Sequence, residues 1–150
     1  MKKVQQIHRF LYAVGLGPLV GKIVLLLTTT GRKSGQKRVT PLQYEELDGK
    51  IYLGSARGTN SDWIRNILVD NQVQVRIKNR KLTGTAEVIT DPGRIADFLE
   101  VRLQRHPRMV GWMMEKIHHV SSCPTRQQLE QIAGTEALVI ITPLDEVQGK

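Results

Sequence analysis

Lys37-Arg38-Val39-Thr40-Pro41-Leu42-Gln43-Tyr44-Glu45-Glu46-Leu47-Asp48-Gly49-Lys50-Ile51-Tyr52-Leu53-Gly54-Ser55 reads as two strands folded about one tight turn. Asp48-Gly49 is the strongest hairpin signal in the chain, because a type I′ turn needs positive φ at both central positions and these residues tolerate it. Lys37–Leu47 is then one strand and Lys50–Ser55 its antiparallel partner. Upstream, the aliphatic and β-branched run Ile23–Thr30 reads as a strand, joined to the hairpin by a turn at Gly31–Gly35. Downstream, a polar loop from Ala56 to Asp62 leads to a short helix from Trp63 to about Asp70, with Ser61 placed to cap it. Val73, Val75 and Ile77 alternate with Gln74, Arg76 and Lys78, the pattern of a half-buried strand with a basic outer face. The chain turns at Lys78–Lys81 and returns over Leu82–Thr90.

Asp91-Pro92 is an N-cap followed by proline at the first helical position, opening a helix to about Arg105 that His106-Pro107 breaks. Met109–His119 reads as helical. Thr125 with Gln128 forms a capping box, opening a short helix that Gly134 ends. Ala137–Thr142 is a last buried strand. At the other end, Val4, Ile7, Leu11 and Val14 fall at helical spacing, predicting an amphipathic helix that stops near Gly15. About six strands in hairpin order with peripheral helices predict an α+β fold, an antiparallel sheet or barrel with helices outside, occupying residues 1–150 as one domain.

The chain has 150 residues, of which 40% are apolar and 24% charged, ordinary values for a globular protein. Lys plus Arg number 22 and Asp plus Glu 14, for a net charge of +8. Eight of the bases, Lys2, Lys3, Arg9, Lys22, Arg32, Lys33, Lys37 and Arg38, precede the first acid, Glu45. The rest of the chain is balanced, so the whole excess sits in the N-terminal third and points to an anionic partner. Two Trp, three Tyr and two Phe give little base-stacking surface, and no nucleic-acid motif accompanies the charge, so nucleic acid is not the expected partner. The single cysteine, Cys123, excludes an internal disulfide and fits a reducing compartment. Phe10 to Leu27 is long enough to attract notice as a membrane span, but Gly15, Gly17, Pro18 and Gly21 interrupt it. It ends without a cleavage site, so neither a span nor a secretory signal is expected. A cytoplasmic protein is expected, with peripheral contact at the inner face of the membrane as a second reading of the basic N-terminal helix.

The sharpest chemical feature is Thr28-Thr29-Thr30-Gly31-Arg32-Lys33-Ser34-Gly35-Gln36-Lys37-Arg38. Two glycines allow backbone N–H groups to converge, and Arg32, Lys33 and Arg38 add charge suited to a phosphate. A solvated basic hairpin is the competing reading. His118, His119 and Cys123 lack a fourth ligand and a common direction, so no metal is expected. Met109, Trp112 and Met113 stand at helical spacing, either as core or as the lining of an apolar pocket. Arg76, Lys78, Arg80 and Lys81 form a second basic cluster, read as a solvated face.

The string Leu26-Leu27-Thr28-Thr29-Thr30-Gly31-Arg32-Lys33-Ser34-Gly35, then Arg38, then Pro41-Leu42, resembles the deazaflavin-dependent nitroreductase family. The likeness continues through Gly54-Ser55-Ala56-Arg57-Gly58, Ser61-Asp62-Trp63, Arg65-Asn66 and Val73-Gln74-Val75, covering about residues 22–90. The resemblance implies a split β-barrel that binds coenzyme F420, whose tail is a phosphodiester followed by glutamates. It implies that Arg32, Lys33, Ser34 and Arg38 hold the phosphate, with Ala56, Arg57 and Gly58 as a second contact. It further implies that Pro41 and Leu42 lie along the deazaflavin and that Trp63 and Asn66 belong to the same site. The implied activity is hydride transfer from the reduced coenzyme to a quinone, a nitro compound or an activated double bond. A small-molecule acceptor is then the partner, with homodimerisation left open.

The tyrosines that nitroimidazole-reducing members present to substrate have no counterpart in Arg105-His106-Pro107-Arg108-Met109-Val110-Gly111-Trp112, and the loop between Arg57 and Trp63 is shorter. The acceptor is therefore left open; Met109, Trp112 and Met113 are the candidate pocket lining, and Ser55, Tyr44 or His106 the candidate proton donors by residue type. Related branches of the barrel bind FMN, haem or lipid, so a differently specific or non-catalytic binder is the alternative.

Overall fold

The computed structural model describes residues 24–148 apart from Ala56, with residues 145–148 as backbone alone. The amphipathic N-terminal helix, its membrane contact and the Ala56 assignment therefore lie outside the described residues. Among the described residues there are six strands: β1 (Val24–Thr30), β2 (Lys37–Leu47), β3 (Lys50–Ser55), β4 (Gln72–Ile77), β5 (Arg80–Ile89) and β6 (Ala137–Gln148). Four helices accompany them: α1 (Asp62–Val69), α2 (Pro92–Arg105), α3 (Pro107–Lys116) and α4 (Arg126–Ala133). The strands close into an antiparallel barrel in the order β1-β2-β3-β6-β5-β4, with β1 paired to β4. This is the expected α+β split barrel.

The hairpin has its expected bounds. Asp48 and Gly49 adopt φ of 53° and 76°, the left-handed pair that the turn requires. Lys78 makes the β4–β5 turn at φ 52°. β6 runs to Gln148, six residues beyond the expected Thr142, because β5 continues to pair with it across a register shift at Thr83/Gly84. Gly84 is required there: a Cβ would stand 2.6 Å from the Ile141 side chain and 2.9 Å from the Thr142 carbonyl oxygen. Asp91 caps α2 by accepting from the Arg94 N–H, and Thr125 with Gln128 closes a capping box on α4. α3 opens at Pro107 and stops at Lys116, earlier at both ends than the expected Met109–His119, because proline suits the first helical position. Ser61 does precede α1, but its hydroxyl makes no cap bond; it lies 2.8 Å from the Ser55 hydroxyl instead.

Alternation along the strands separates two cores. Inside the barrel, Leu25, Leu27, Leu53, Val73, Val75, Leu82, Val139 and Ile141 pack together with Trp63 and Ile64 of α1. Outside it, Leu138, Ile140 and Ile89 are covered by Phe98, Leu99, Val110, Met114, Leu129 and Ile132 of α2, α3 and α4. The helices thus cover one side of the barrel wall. The outward face of β1, β4 and the start of β5 lies on the other side.

Candidate functional site

The turn between β1 and β2 is closed by backbone bonds from Gly31 N–H to Gln36 O and from Gly35 N–H to Gly31 O, both 2.8 Å. A Cβ on Gly31 would come within 2.9 Å of the Ser34 hydroxyl, so the turn is tight. Gly35, at φ 69°, takes the left-handed position. Lys33, Ser34 and Arg38 are exposed around this turn.

Arg32 points away from these three, toward α1. Its Nη1 donates to Asn66 Oδ1 at 2.9 Å and its backbone N–H donates to the same atom at 3.2 Å. Its Nη2 donates to Asp62 Oδ1 at 3.2 Å. Asn66 is buried, and its Nδ2 donates to the Thr29 hydroxyl at 3.2 Å. One side chain therefore ties the end of β1, the turn and α1 together. Trp63, one turn before Asn66 on α1, is buried in the barrel core.

Pro41 and Leu42 are both half-buried but face opposite ways: Leu42 packs against the barrel interior, so Pro41 is directed outward. Arg57 is exposed at the start of a single 3₁₀ turn, Gly58–Asn60. Gly58 has φ 59°, and a Cβ there would lie 3.0 Å from the Thr135 carbonyl oxygen. The Ser55 hydroxyl donates to the Gly58 carbonyl at 3.0 Å, pinning this loop to the barrel.

The three proton-donor candidates occupy different environments. Ser55 is buried and engaged with Gly58 and Ser61. Tyr44 packs against the inner core, and burial, reinforced by Glu46, pushes its phenol above the ordinary value. His106 stands at the α2–α3 corner with Nε2 2.7 Å from Glu45 Oε1. Trp112 is 58% exposed, so it is not core, while Met109 is half-buried against the outer core and Met113 is half-buried.

Two polar groups of residues went unread in the sequence. Asp62 holds Arg32 as described. Glu45, on the outward face of β2, is only 6% exposed in its side chain and gathers Arg105 Nη1 at 3.1 Å as well as His106. Arg102 Nε lies 3.8 Å from the same carboxylate, and its Nη2 donates to Gln43 Oε1 at 2.7 Å. Burial lowers the Arg102 pKa, opposed by Glu45 and Glu136. Beyond it, burial pushes the Glu136 carboxyl up to about 7, and His118 Nε2 lies 3.4 Å away. Burial also lowers His118, with His119 adding to the effect. The available signals were the outward parity of Gln43 and Glu45 and the basic last turn of α2.

The model of the F420H(2)-dependent quinone reductase family matches residues 2–109 of this chain. Among solved structures, an F420-H2 dependent reductase is similar with 21% identity and a TM-score of 0.52, over 80% of this chain and 94% of that one. The General Stress Protein 26 of Bacillus anthracis is similar with 15% identity and a TM-score of 0.52, over 83% and 81%. A structure described as a domain-swapped dimer is similar with 21% identity and a TM-score of 0.53, over 80% of each chain. At these identities the structural likeness establishes the barrel fold.

Proposed function

Because the chain belongs to the F420H(2)-dependent quinone reductase family, we propose that its β1–β2 turn holds the anionic tail of the coenzyme and that β2 presents the ring to a quinone. The protein is an oxidoreductase that uses reduced coenzyme F420. Bound F420H2 supplies the hydride; the chain's own task is to bind, orient and shield.

The observation that carries the assignment is the division of labour among the cations of the turn. Arg32 is committed to Asn66 and Asp62, whereas Lys33 and Arg38 stand exposed on a backbone that those bonds brace. A pre-ordered turn with two exposed cations and the Ser34 hydroxyl fits a phosphodiester. Arg57, next to the glycine at position 58, supplies a further cation. Pro41, on the outward face of β2, lies along the ring with Leu42 behind it. Trp63 acts from the core, holding α1 and hence Asn66 in place. Met109, Trp112 and Met113 form an apolar wall for the acceptor, with quinones, nitro compounds and enones as the acceptor classes.

Proton delivery to the reduced acceptor falls to His106. Ser55 and Tyr44 face the barrel interior, whereas His106 sits on Glu45, which shares the outward face of β2 with Pro41. Glu45 Oε1 stands 2.7 Å from Nε2, which leaves Nδ1 for exchange. The whole chain is read as one domain acting in the cytoplasm; among the described residues no helix is long and apolar enough to cross a membrane. Peripheral membrane contact through the N-terminal segment and a homodimer complete the proposal, the latter supported by the domain-swapped dimer among similar structures.

The test is a fluorescence titration of the purified protein with F420 and with FMN, for wild type and the Lys33→Ala/Arg38→Ala variant. Saturable F420 binding that weakens in the variant, with no FMN binding, supports the proposal. Tight FMN binding in preference to F420 overturns it.

A further inference from the structure

A row of four residues crosses the barrel wall from the proposed ring position. Pro41 of β2 pairs with Leu26 of β1, Leu26 with Arg76 of β4, and Arg76 with Lys81 of β5. Their strand neighbours Leu25, Leu27, Leu42, Val75, Ile77 and Leu82 pack inside the barrel, so all four side chains project outward. The parallel row, Val39, Thr28, Gln74 and Thr83, carries no charge. Three interstrand spacings separate Pro41 from Lys81, about 14 Å.

A groove of about 620 Å³ lies beside Leu26, lined by Thr28, Gln74, Arg76, Lys81 and Thr83 together with Val75 and Leu82 of the same two strands. That volume suits a small fused-ring ligand. Arg76 and Lys81 face each other directly across the strand pair, and like charges so placed repel. Among the described residues neither is ion-paired; Arg76 Nε donates only to the Lys78 carbonyl, at 3.4 Å. Arg80, the next cation along, is spent on Glu46 at 2.6 Å. The four cations of the basic hairpin are thus divided: Arg80 is neutralised, Lys78 stands in the turn, and Arg76 and Lys81 line a cavity. These two are also distinct from the coenzyme turn, since Leu26 precedes Thr30 by four residues, about 13 Å along β1.

We propose that this groove is an anion-accepting subsite on the acceptor side, in which Arg76 and Lys81 select flat acceptors that carry a sulfonate or carboxylate beside the reducible ring. The inference rests on the assignment of the coenzyme ring to Pro41. An acceptor ring beside the coenzyme ring, over Leu26, then places its substituent over the two cations. Cation pairs of this kind act on binding, and their attraction for exposed anions is screened by salt.

The test uses Arg76→Gln/Lys81→Gln in the full chain. Calorimetric titration without coenzyme measures 9,10-anthraquinone-2-sulfonate and the uncharged menadione in parallel. The double variant is expected to bind the sulfonate at least tenfold more weakly, to bind menadione within twofold of wild type, and to retain F420 affinity within twofold. Its melting temperature should hold or rise, because a repulsion is removed. Arg76→Lys, which keeps the charge, should retain most of the sulfonate affinity. Unchanged sulfonate binding, or equal losses for both quinones, overturns the proposal. A tenfold loss of F420 affinity with sulfonate binding intact assigns the groove to the coenzyme's glutamates and overturns it as well. Since the first arm contains no coenzyme, failure of the F420 assignment would be read separately, from the titration described above.

Discussion

Asn66 Oδ1 accepts two hydrogen bonds from Arg32, one from the backbone N–H at 3.2 Å and one from the guanidinium at 2.9 Å. The same amide donates to Thr29 from its other end. A buried side chain on α1 thereby fixes a solvent-facing turn 34 residues earlier. Asn66→Ala should destabilise the fold by about 2–4 kcal/mol, since it strands the Arg32 N–H and breaks a charge-assisted bond. It should also weaken F420 binding without touching the coenzyme. Urea denaturation and coenzyme titration on one variant check both parts.

Lys33 and Arg38 are exposed, and their side chains make no hydrogen bond or ion pair among the described residues. Replacing both with Ala should weaken coenzyme binding by about 2–5 kcal/mol, the sum of two charge-assisted contacts. The thermal midpoint should stay where it is. Unchanged affinity in the folded variant would remove the phosphate assignment.

Glu45 is different in kind, because its charge is buried beneath α2 and α3. Breaking such a cluster by removing one member costs about 3–5 kcal/mol, through the uncompensated charge left behind. Glu45→Ala should show this loss. Adding Arg102→Met to it should recover part of the stability, and a double-mutant cycle measures the coupling.

Glu136 titrates at about 7 in the folded chain, raised by burial from an ordinary 4.5. A raised carboxyl binds more protons folded than unfolded, so its contribution to stability falls as pH climbs from 4.5 and is fully lost above 7. Two and a half units correspond to about 3 kcal/mol. His118, lowered by burial, acts in the opposite sense, with stability rising as pH increases toward 6.5. Glu136→Gln should therefore be more stable than wild type at pH 8 and lose that advantage near pH 5. Chemical denaturation at the two pH values decides it.

Trp112, at 58% exposure, carries little of the fold. Trp112→Ala should change stability by no more than about 0.5 kcal/mol, the ordinary range for surface positions. Steady-state rates with menadione should show a raised KM at unchanged coenzyme affinity. Normal kinetics would take α3 out of the acceptor site.

The barrel was legible where local chemistry is decisive. Asp48-Gly49 imposes its turn on any strands that flank it, so both strands of that hairpin came out with their observed bounds. Asp91-Pro92 and Thr125/Gln128 acted as locally. Ser61 misled, because the hydroxyl that a helix start invites is captured by Ser55 on a neighbouring strand. The Glu45 cluster was beyond reach, since its partners Arg102, Arg105 and His106 arrive from helices about 60 residues away. Motif likeness located the turn cations, but only the contacts divide Arg32, which braces the turn, from Lys33 and Arg38, which face outward.

The most direct measurement follows oxidation of F420H2 by menadione at varied coenzyme concentration, in wild type and in Lys33→Ala/Arg38→Ala. The account predicts turnover in both, with the coenzyme KM raised at least tenfold in the variant and kcat recovered at saturation. Equal coenzyme KM values in the two proteins, or no menadione-dependent oxidation by the wild type, would contradict it.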